Sequence, residues 1–141
     1  MEEMTVTWRV RAIRGATTAD ENSVEAIRDA VSELLDVIEE RNTIDLTEVV
    51  SVTFSVTRDL DKTFPAAIAR ERPHWESIPL LDVQQMYVPT DLPHCIRCLI
   101  HFNTPTLSLE IHHVYLRQAQ NLRPDWGFVS ANLPVSPLTS H

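Results

Sequence analysis

The arginines are the residues of this sequence whose type and position indicate chemistry. The chain contains eleven arginines and a single lysine, Lys62. Arginine binds carboxylate and phosphate groups through paired, planar hydrogen bonds that lysine does not make. Arg14 directly precedes Gly15, one of only two glycines, and Arg97 lies within an apolar stretch. These positions favour a site that binds a small anion.

Arg97 is the strongest single candidate, because a charge inside an apolar strand is costly to bury without a partner. The alternation of apolar residues over 94–102 predicts a central strand around it. Two roles fit this arginine: it contacts an anion from a rigid strand, or it forms a structural ion pair with Asp82 or a glutamate. The same two roles are open for Arg14.

Gly15 falls where the alternation of Thr5–Arg14 ends, which predicts the end of an N-terminal strand. A chain with so little glycine is expected to use it for backbone geometry. The glycine then serves either a positive φ angle or the close approach of another group.

Taken singly, the other candidate side chains have ordinary structural roles. Arg70 in a short helix and Arg123 are typical of solvated arginines, Asp82 of a turn or edge residue, and Tyr115 of a core residue. The sequence has no glycine-rich phosphate loop, nucleophile elbow or recognisable triad. Such a set suits a reaction that needs positioning and charge stabilisation without a covalent intermediate.

The cysteines and adjacent histidines do not indicate a metal site. Cys95 and Cys98 have the spacing of a redox or zinc pair. On a strand, residues three apart point to opposite faces, and no second cysteine pair exists to complete a zinc site. His112 and His113 also face opposite ways. We therefore expect two reduced thiols, no metal and no other cofactor.

Length and charge limit the class of protein. A chain of 141 residues with 43% hydrophobic residues fits one folded domain. The net charge of −8 argues against nucleic-acid binding, and no apolar run is long enough to span a membrane. The acidic N-terminus does not resemble a secretory signal, which predicts a cytoplasmic protein.

Hydrophobic periodicity predicts an α+β or α/β domain with a mixed sheet and two main helices. The first helix follows a variant capping box at 22–25 and ends near Arg41. The predicted order is a strand (Thr5–Arg14), that helix, a strand (Val50–Val56), a helix (Phe64–Arg70), an irregular edge strand (Trp75–Val88), a turn (89–91), a strand (His94–Phe102), a short element (Ile111–Tyr115) and a helical stretch to Leu122. Two helices leave one face of the sheet partly uncovered, and oligomerisation is expected to cover it.

Short tracts in a fixed order resemble the trimeric, monofunctional chorismate mutases of the AroH class. The tracts span Arg14 to Asp125, which is most of the chain. They are Arg14–Thr18, Asp59–Leu60, Phe64–Ala66 with Arg70, Trp75, Pro79, Gln84–Met86, Cys95–Arg97, His113–Leu116 and Leu122–Asp125.

The resemblance implies a homotrimer in which three mixed sheets form a closed core, a pseudo α/β-barrel with helices outside and active sites in the subunit clefts. Residues 1–125 would form the catalytic domain, and the tail, 126–141, is expected to be loosely ordered. The implied reaction is the Claisen rearrangement of chorismate to prephenate, on the branch toward phenylalanine and tyrosine. It needs no cofactor.

The resemblance also implies roles for single residues. Arg97 would donate to the ether oxygen of the substrate, while Arg14 and Tyr115 would hold the enolpyruvyl carboxylate. The neighbouring subunit would supply Phe64, Ala66 and Arg70. The further substrate-binding positions would be Leu80, Leu81, Asp82, Val83, Gln84, Gln85, Leu122 and Arg123.

Gln85 departs from the family, which usually has a glutamate there to accept a hydrogen bond from the substrate hydroxyl and to offset positive charge on the ring. Asp82 stands where the family often has a cysteine. Our hypothesis is that Asp82 takes the electrostatic role and Gln85 keeps a hydrogen bond, so that both act with Arg97 in catalysis. Ala67 replaces a common pocket lysine, which indicates weaker carboxylate binding or compensation by Arg70.

Two other functions remain open. One is a non-catalytic trimer that keeps the anion-binding cleft without the chemistry. The other is a small enamine or imine deaminase, which has a related barrel-like trimer. Because that family centres on a single arginine, the several arginines of this chain favour the mutase.

Overall fold

The computed structural model describes residues 6–126. The strands are β1 (Arg9–Thr18), β2 (Val49–Val56), β3 (Leu80–Gln84), β4 (Cys95–Thr104) and β5 (Val114–Tyr115). The α-helices are α1 (Val24–Arg41) and α2 (Pro65–Arg70), and short 3-10 helices cover Leu46–Glu48, Arg117–Asn121 and Pro124–Trp126. These elements confirm the expected mixed sheet with two helices.

The sheet has the strand order β3-β2-β4-β1-β5. Its central strand, β4, runs antiparallel to both β1 and β2. The outer strands pair in parallel, β3 with β2 and β5 with β1. The segment predicted as an edge strand does form an edge, but only over Leu80–Gln84.

α1 covers one face of the sheet. The Ser23 side chain accepts a hydrogen bond from the Ala26 N–H at 3.1 Å and caps the helix, which ends at Arg41 as predicted. The apolar stripe of α1 is buried and joins the sheet residues Ile13 and Ile100 in one core. Its buried members are Ile27, Ala30, Val31, Leu34, Leu35 and Ile38.

Gly15 does not end β1, which continues to Thr18, so the predicted strand end was wrong. Its φ angle is not positive. A Cβ atom at this position would lie 2.8 Å from Ile38 Cδ1 and 2.9 Å from Cys98 Sγ. Of the two reasons considered for this glycine, the close approach of another group is the correct one, since α1 packs directly onto β1 here.

The face of the sheet opposite α1 carries both apolar and polar side chains and is partly exposed. Strand alternation places Val10, Ala12 and Arg14 of β1 on that face, together with Leu81 and Val83 of β3. We call it the open face. Val10, Leu81 and Val83 are exposed in the single chain. That a second subunit covers them stays a prediction.

The C-terminal part of the chain is described only as far as Trp126. The helical stretch expected before Leu122 is a 3-10 helix, Arg117–Asn121. The expected loose order of the tail concerns residues that, apart from Trp126, lie outside the described part. Between residues 6 and 126, no helix is long and apolar enough to cross a membrane.

Candidate active site

Three strands bring Arg14, Arg97 and Tyr115 to the open face. β1 lies between β4 and β5, and Ala16 of β1 pairs with both Arg97 and Tyr115. Paired residues of neighbouring strands share a face, and Arg14 lies on that face two residues before Ala16. Residues that are far apart in sequence therefore meet because of the strand order.

These side chains line a cleft of about 360 Å³, which we call the arginine cleft. The loop between β3 and β4 forms one wall, and the residues that follow the second 3-10 helix form another. The cleft holds six of the residues that the sequence assigned to the site: Arg14, Gln85, Arg97, Tyr115, Leu122 and Arg123.

The guanidinium of Arg97 is paired with a carboxylate that the sequence did not assign. Its Nη2 lies 3.1 Å from Asp91 Oδ1, and the two side chains are 23% and 20% exposed. An ion pair was one of the two roles considered for Arg97, but its partner is Asp91 and neither Asp82 nor a glutamate, so the expected partner was wrong. The Arg97 Nε is buried and has no hydrogen-bond partner among the described residues.

Tyr115 is buried on the open face in a small cluster with Ala16 and Ala119. Burial raises the pKa of its phenol, while the positive charges of Arg14 and Arg97 act against that rise. The hydroxyl is therefore protonated at neutral pH and can donate a hydrogen bond to an anion.

His113 supports the backbone beside Arg14, a role that the sequence did not indicate. Its Nδ1 accepts a hydrogen bond from the Arg14 backbone N–H at 3.0 Å. Burial lowers the pKa of His113, and the charges of Arg14 and Arg123 lower it further. The neutral imidazole keeps the lone pair that this hydrogen bond requires.

Arg123 lies at the rim of the arginine cleft. Its Nε and Nη2 donate to the two carboxylate oxygens of Asp125, at 3.1 and 2.8 Å. This bidentate pair orients the guanidinium near the cleft, and its hydrogen bonds raise the pKa of Arg123 and lower that of Asp125.

A second cleft, of about 380 Å³, contains another group of the expected residues. Phe64, Asp82, Val83 and Gln84 line it, whereas Gln85 lines the arginine cleft. We call it the α2 cleft, because Phe64 directly precedes α2. The expected residues Ala66, Arg70, Leu80 and Leu81 line neither cleft.

Asp82 and Gln85 therefore face different surroundings within one chain. Asp82 Oδ1 accepts a hydrogen bond from the Ala66 N–H at 3.0 Å, which ties β3 to the first turn of α2. Burial raises the pKa of Asp82, while that hydrogen bond and the charge of Arg70 oppose the rise. Gln85 Oε1 accepts a hydrogen bond from the Ser55 hydroxyl at 2.8 Å.

The loop residues of the arginine cleft were missed by sequence reasoning. They are Met86, Val88, Thr90, Asp91 and Leu92. The tract 89–91 indicated only a turn, because the residues next to it in sequence do not show against which strand a loop folds back. The one usable signal was that Asp91 lies six residues before Arg97. Because a loop connects the two residues, this separation does not predict whether their side chains meet.

The two cysteines are free and buried, as expected. Burial raises the pKa of the Cys98 thiol to about 12, so the thiol is protonated at neutral pH and is not a reactive nucleophile. Within the described residues, no group of three or more histidine, cysteine or acidic side chains could hold a metal ion.

The fold and the arginine cleft define a class of protein: an α+β domain whose sheet brings several arginines and a tyrosine together in one cleft. A model of the family chorismate mutase type I matches residues 10–126. The chain belongs to this family.

Individual relatives agree with that assignment. The chain is 45% identical over 117 residues to chorismate mutase AroH of Thermus thermophilus, an alignment that covers 82% of this chain and 95% of the relative. It is 38% identical over 116 residues to chorismate mutase AroH of Bacillus subtilis, covering 82% and 91% of the two chains. A solved chorismate mutase from Clostridium thermocellum superposes with a TM-score of 0.74 at 39% identity, covering 79% of this chain and 99% of that one.

Proposed function

We propose that this chain catalyses the Claisen rearrangement of chorismate to prephenate, the reaction for which its relatives are named. The observation that carries the proposal is the convergence of Arg14, Arg97 and Tyr115 in one cleft of a chain that belongs to this family. Two arginines and a phenol supply donors for a substrate with two carboxylates and an ether oxygen.

The rearrangement requires that the substrate be held in a reactive conformation and that a developing negative charge be stabilised. The carbon–oxygen bond of the substrate breaks ahead of carbon–carbon bond formation, so negative charge grows on the ether oxygen. Arg97 donates to that oxygen from the central strand, and Arg14 and Tyr115 hold the enolpyruvyl carboxylate. Holding the compact conformer brings the reacting carbons together, and the fixed guanidinium lowers the barrier.

We further propose that the working enzyme is a homotrimer whose active site combines the arginine cleft of one subunit with the α2 cleft of its neighbour. Two observations support this. The residues expected at one substrate are divided between two separate clefts in a single chain. The open face also exposes apolar side chains such as Val10 and Leu81. Phe64, Ala66 and Arg70 would then reach the substrate from the neighbouring subunit.

The roles of Gln85 and Asp82 are part of the same proposal. Gln85 lines the arginine cleft and accepts the hydrogen bond from the substrate hydroxyl. Asp82 lines the α2 cleft and would offset positive charge on the ring from the neighbouring subunit. The two buried, free thiols suit a reducing compartment, and we place the reaction in the cytoplasm.

The test follows the loss of chorismate's ultraviolet absorbance with purified protein. Wild type is expected to consume chorismate and release prephenate. Arg97→Ala should lose about 3 kcal/mol or more of transition-state stabilisation, as for loss of an oxyanion donor, and Arg97→Lys should not restore it. A loss below tenfold in kcat/KM would contradict the role of Arg97. Chorismate binding without turnover by wild type would instead indicate an anion-binding protein.

A further inference from the structure

Asp91 brings a carboxylate into the arginine cleft from the loop between β3 and β4. Its backbone N–H donates to the Val88 carbonyl oxygen at 2.9 Å, which closes a turn in that loop. Its Oδ1 accepts the Leu92 N–H at 2.8 Å and lies 3.1 Å from Arg97 Nη2. The loop and the central strand are therefore joined at one carboxylate oxygen.

This contact is the main charged restraint on Arg97. The Arg97 Nε is buried without a hydrogen-bond partner in the described part of the chain, and the neighbouring Cys95 thiol is only a weak partner for the guanidinium. Both side chains of the pair are more than three-quarters buried, at 23% and 20% exposure, so solvent screens their attraction less than that of a surface pair.

The charges that line the arginine cleft also point to Asp91 as the partner of Arg97. The described lining contains the arginines 14, 97 and 123, and Asp91 is its one acidic residue. Gln85, which also lines the cleft, is neutral. An arginine that must meet a developing charge needs a fixed orientation, and a carboxylate is the strongest hydrogen-bond partner available to fix it.

We propose that Asp91 is a positioning residue: it holds the Arg97 guanidinium in the orientation that meets the ether oxygen of the substrate. The catalytic consequence rests on the proposed function, whereas the restraint on Arg97 does not. Asp91 does not itself contact the reacting atoms. Its removal should therefore lower the rate of the chemical step more than it affects substrate binding.

Asp91→Asn is the central variant, because it removes the charge and keeps an oxygen that can accept the Leu92 N–H. We expect kcat to fall about tenfold or more, as for loss of a charged hydrogen bond. KM should stay the same or fall, since the site for a dianion loses a negative charge. Asp91→Glu restores a carboxylate and should recover part of kcat. Asp29→Asn, exposed on α1, is the matched control and should behave as wild type.

The second measurement does not depend on activity. In ¹⁵N NMR spectra of the guanidinium groups, assigned by comparison with Arg97→Lys, a restrained Arg97 should give separate Nη signals because rotation about the Nε–Cζ bond is hindered. Asp91→Asn should merge these signals, and Asp91→Glu should keep them apart. Wild-type protein that is inactive but shows this pattern would overturn the proposed function and leave the restraint by Asp91 standing.

Other outcomes would overturn the role of Asp91 and leave the proposed function intact. These are an active Asp91→Asn with wild-type kcat, separate Nη signals that persist in that variant, and an increase in KM at unchanged kcat. If Asp91→Glu has merged Nη signals and is as inactive as Asp91→Asn, this result would also count against a restraint by the carboxylate. An Asp91→Asn with higher kcat/KM would mean that Asp91 competes with the substrate for Arg97.

Discussion

The imidazole of His113 contacts the backbone of β1 at Arg14, one of the arginines that line the arginine cleft. It accepts a hydrogen bond from the Arg14 backbone N–H, and its pKa lies below the ordinary value because the ring is partly buried near Arg14 and Arg123. Asp125, which binds Arg123, acts in the opposite direction. Protonation of His113 at Nδ1 would remove the lone pair that accepts this hydrogen bond.

A pH dependence of stability follows from this hydrogen bond. Because the native pKa of His113 is lowered, the unfolded chain binds more protons between the two values. The contribution of His113 is therefore complete above the unfolded pKa of about 6.5 and is lost as the pH falls through the native pKa. His113→Asn, which keeps an acceptor but does not titrate, should flatten this part of the profile.

Urea unfolding of wild type and variant over a pH series below neutrality measures the effect. His74→Asn is the control, because His74 is exposed and its charge is not among those that shift the pKa of His113. It should keep the wild-type pH profile. Parallel profiles for wild type and His113→Asn would show that this imidazole does not link pH to stability.

Asp82 has an observed structural role and a proposed role in catalysis, and one substitution distinguishes the two. Asp82→Asn keeps an acceptor for the Ala66 N–H but removes the charge. If Asp82 offsets positive charge on the substrate from the neighbouring subunit, kcat should fall at least tenfold while the unfolding midpoint changes little. Steady-state kinetics and urea unfolding test both points. An unchanged kcat would restrict Asp82 to the support of α2, for which Asp82→Ala should cost about 1 kcal/mol of stability.

At the scale of elements, the contact between β1 and α1 depends on the missing side chain of Gly15. β1 passes so close to α1 that a Cβ atom would overlap Ile38 Cδ1 and Cys98 Sγ. Arg14 directly precedes Gly15, and its side chain points to the opposite face of the strand. The packing of Gly15 against α1 therefore also restrains the backbone that carries Arg14. Gly15 thus affects where β1 and Arg14 lie, although it does not itself line the arginine cleft.

Gly15→Ala should therefore destabilise the protein by about 1–3 kcal/mol through overpacking, measured by urea unfolding. Ile38→Val removes the nearest methyl group, and combined with Gly15→Ala it should recover part of the loss. The double variant would then be more stable than the sum of the two single effects predicts. Full additivity would mean that Ile38 does not carry the strain.

At the scale of the whole molecule, a single chain places the expected site residues in two clefts and leaves apolar residues of its open face exposed. The arginine cleft and the α2 cleft each hold part of the expected substrate-binding set. The exposed apolar residues of the open face are Val10 of β1 and Leu81 and Val83 of β3. β1 and β3 are separated by two strands in the sheet. An assembly that covers this face and joins the two clefts would satisfy both observations.

Val10→Glu tests this assembly, because it places a charge on the open face away from both clefts. The variant should shift from trimer to monomer in light scattering and lose most of its chorismate mutase activity. Val24→Glu, an equally non-conservative change on the exposed start of α1, should leave size and activity unchanged. A trimeric and active Val10→Glu would contradict the proposed interface.

The sequence predicted the helices and strands whose apolar residues have a regular spacing. The prediction was wrong or incomplete where a structure depends on contacts between residues far apart in the chain. α1 and β2 followed from regular apolar spacing, and α2 from its N-terminal proline. β1 extends beyond its predicted end because Gly15 marks a close contact with a helix, not a turn. The pairing of Arg97 with Asp91 was missed because it depends on how a loop folds back.

The sequence by itself predicted a site for a small anion and placed the chain among the chorismate mutases, because residue type and the order of motifs are local properties. It also determined one apolar stripe for α1 and an alternating central strand. Only the tertiary structure decided which residues meet. The strand order brings Arg14, Arg97 and Tyr115 together, puts Asp82 in a different cleft from Gln85, and gives Arg97 its carboxylate. Such contacts join positions far apart along the chain, and no local pattern encodes them.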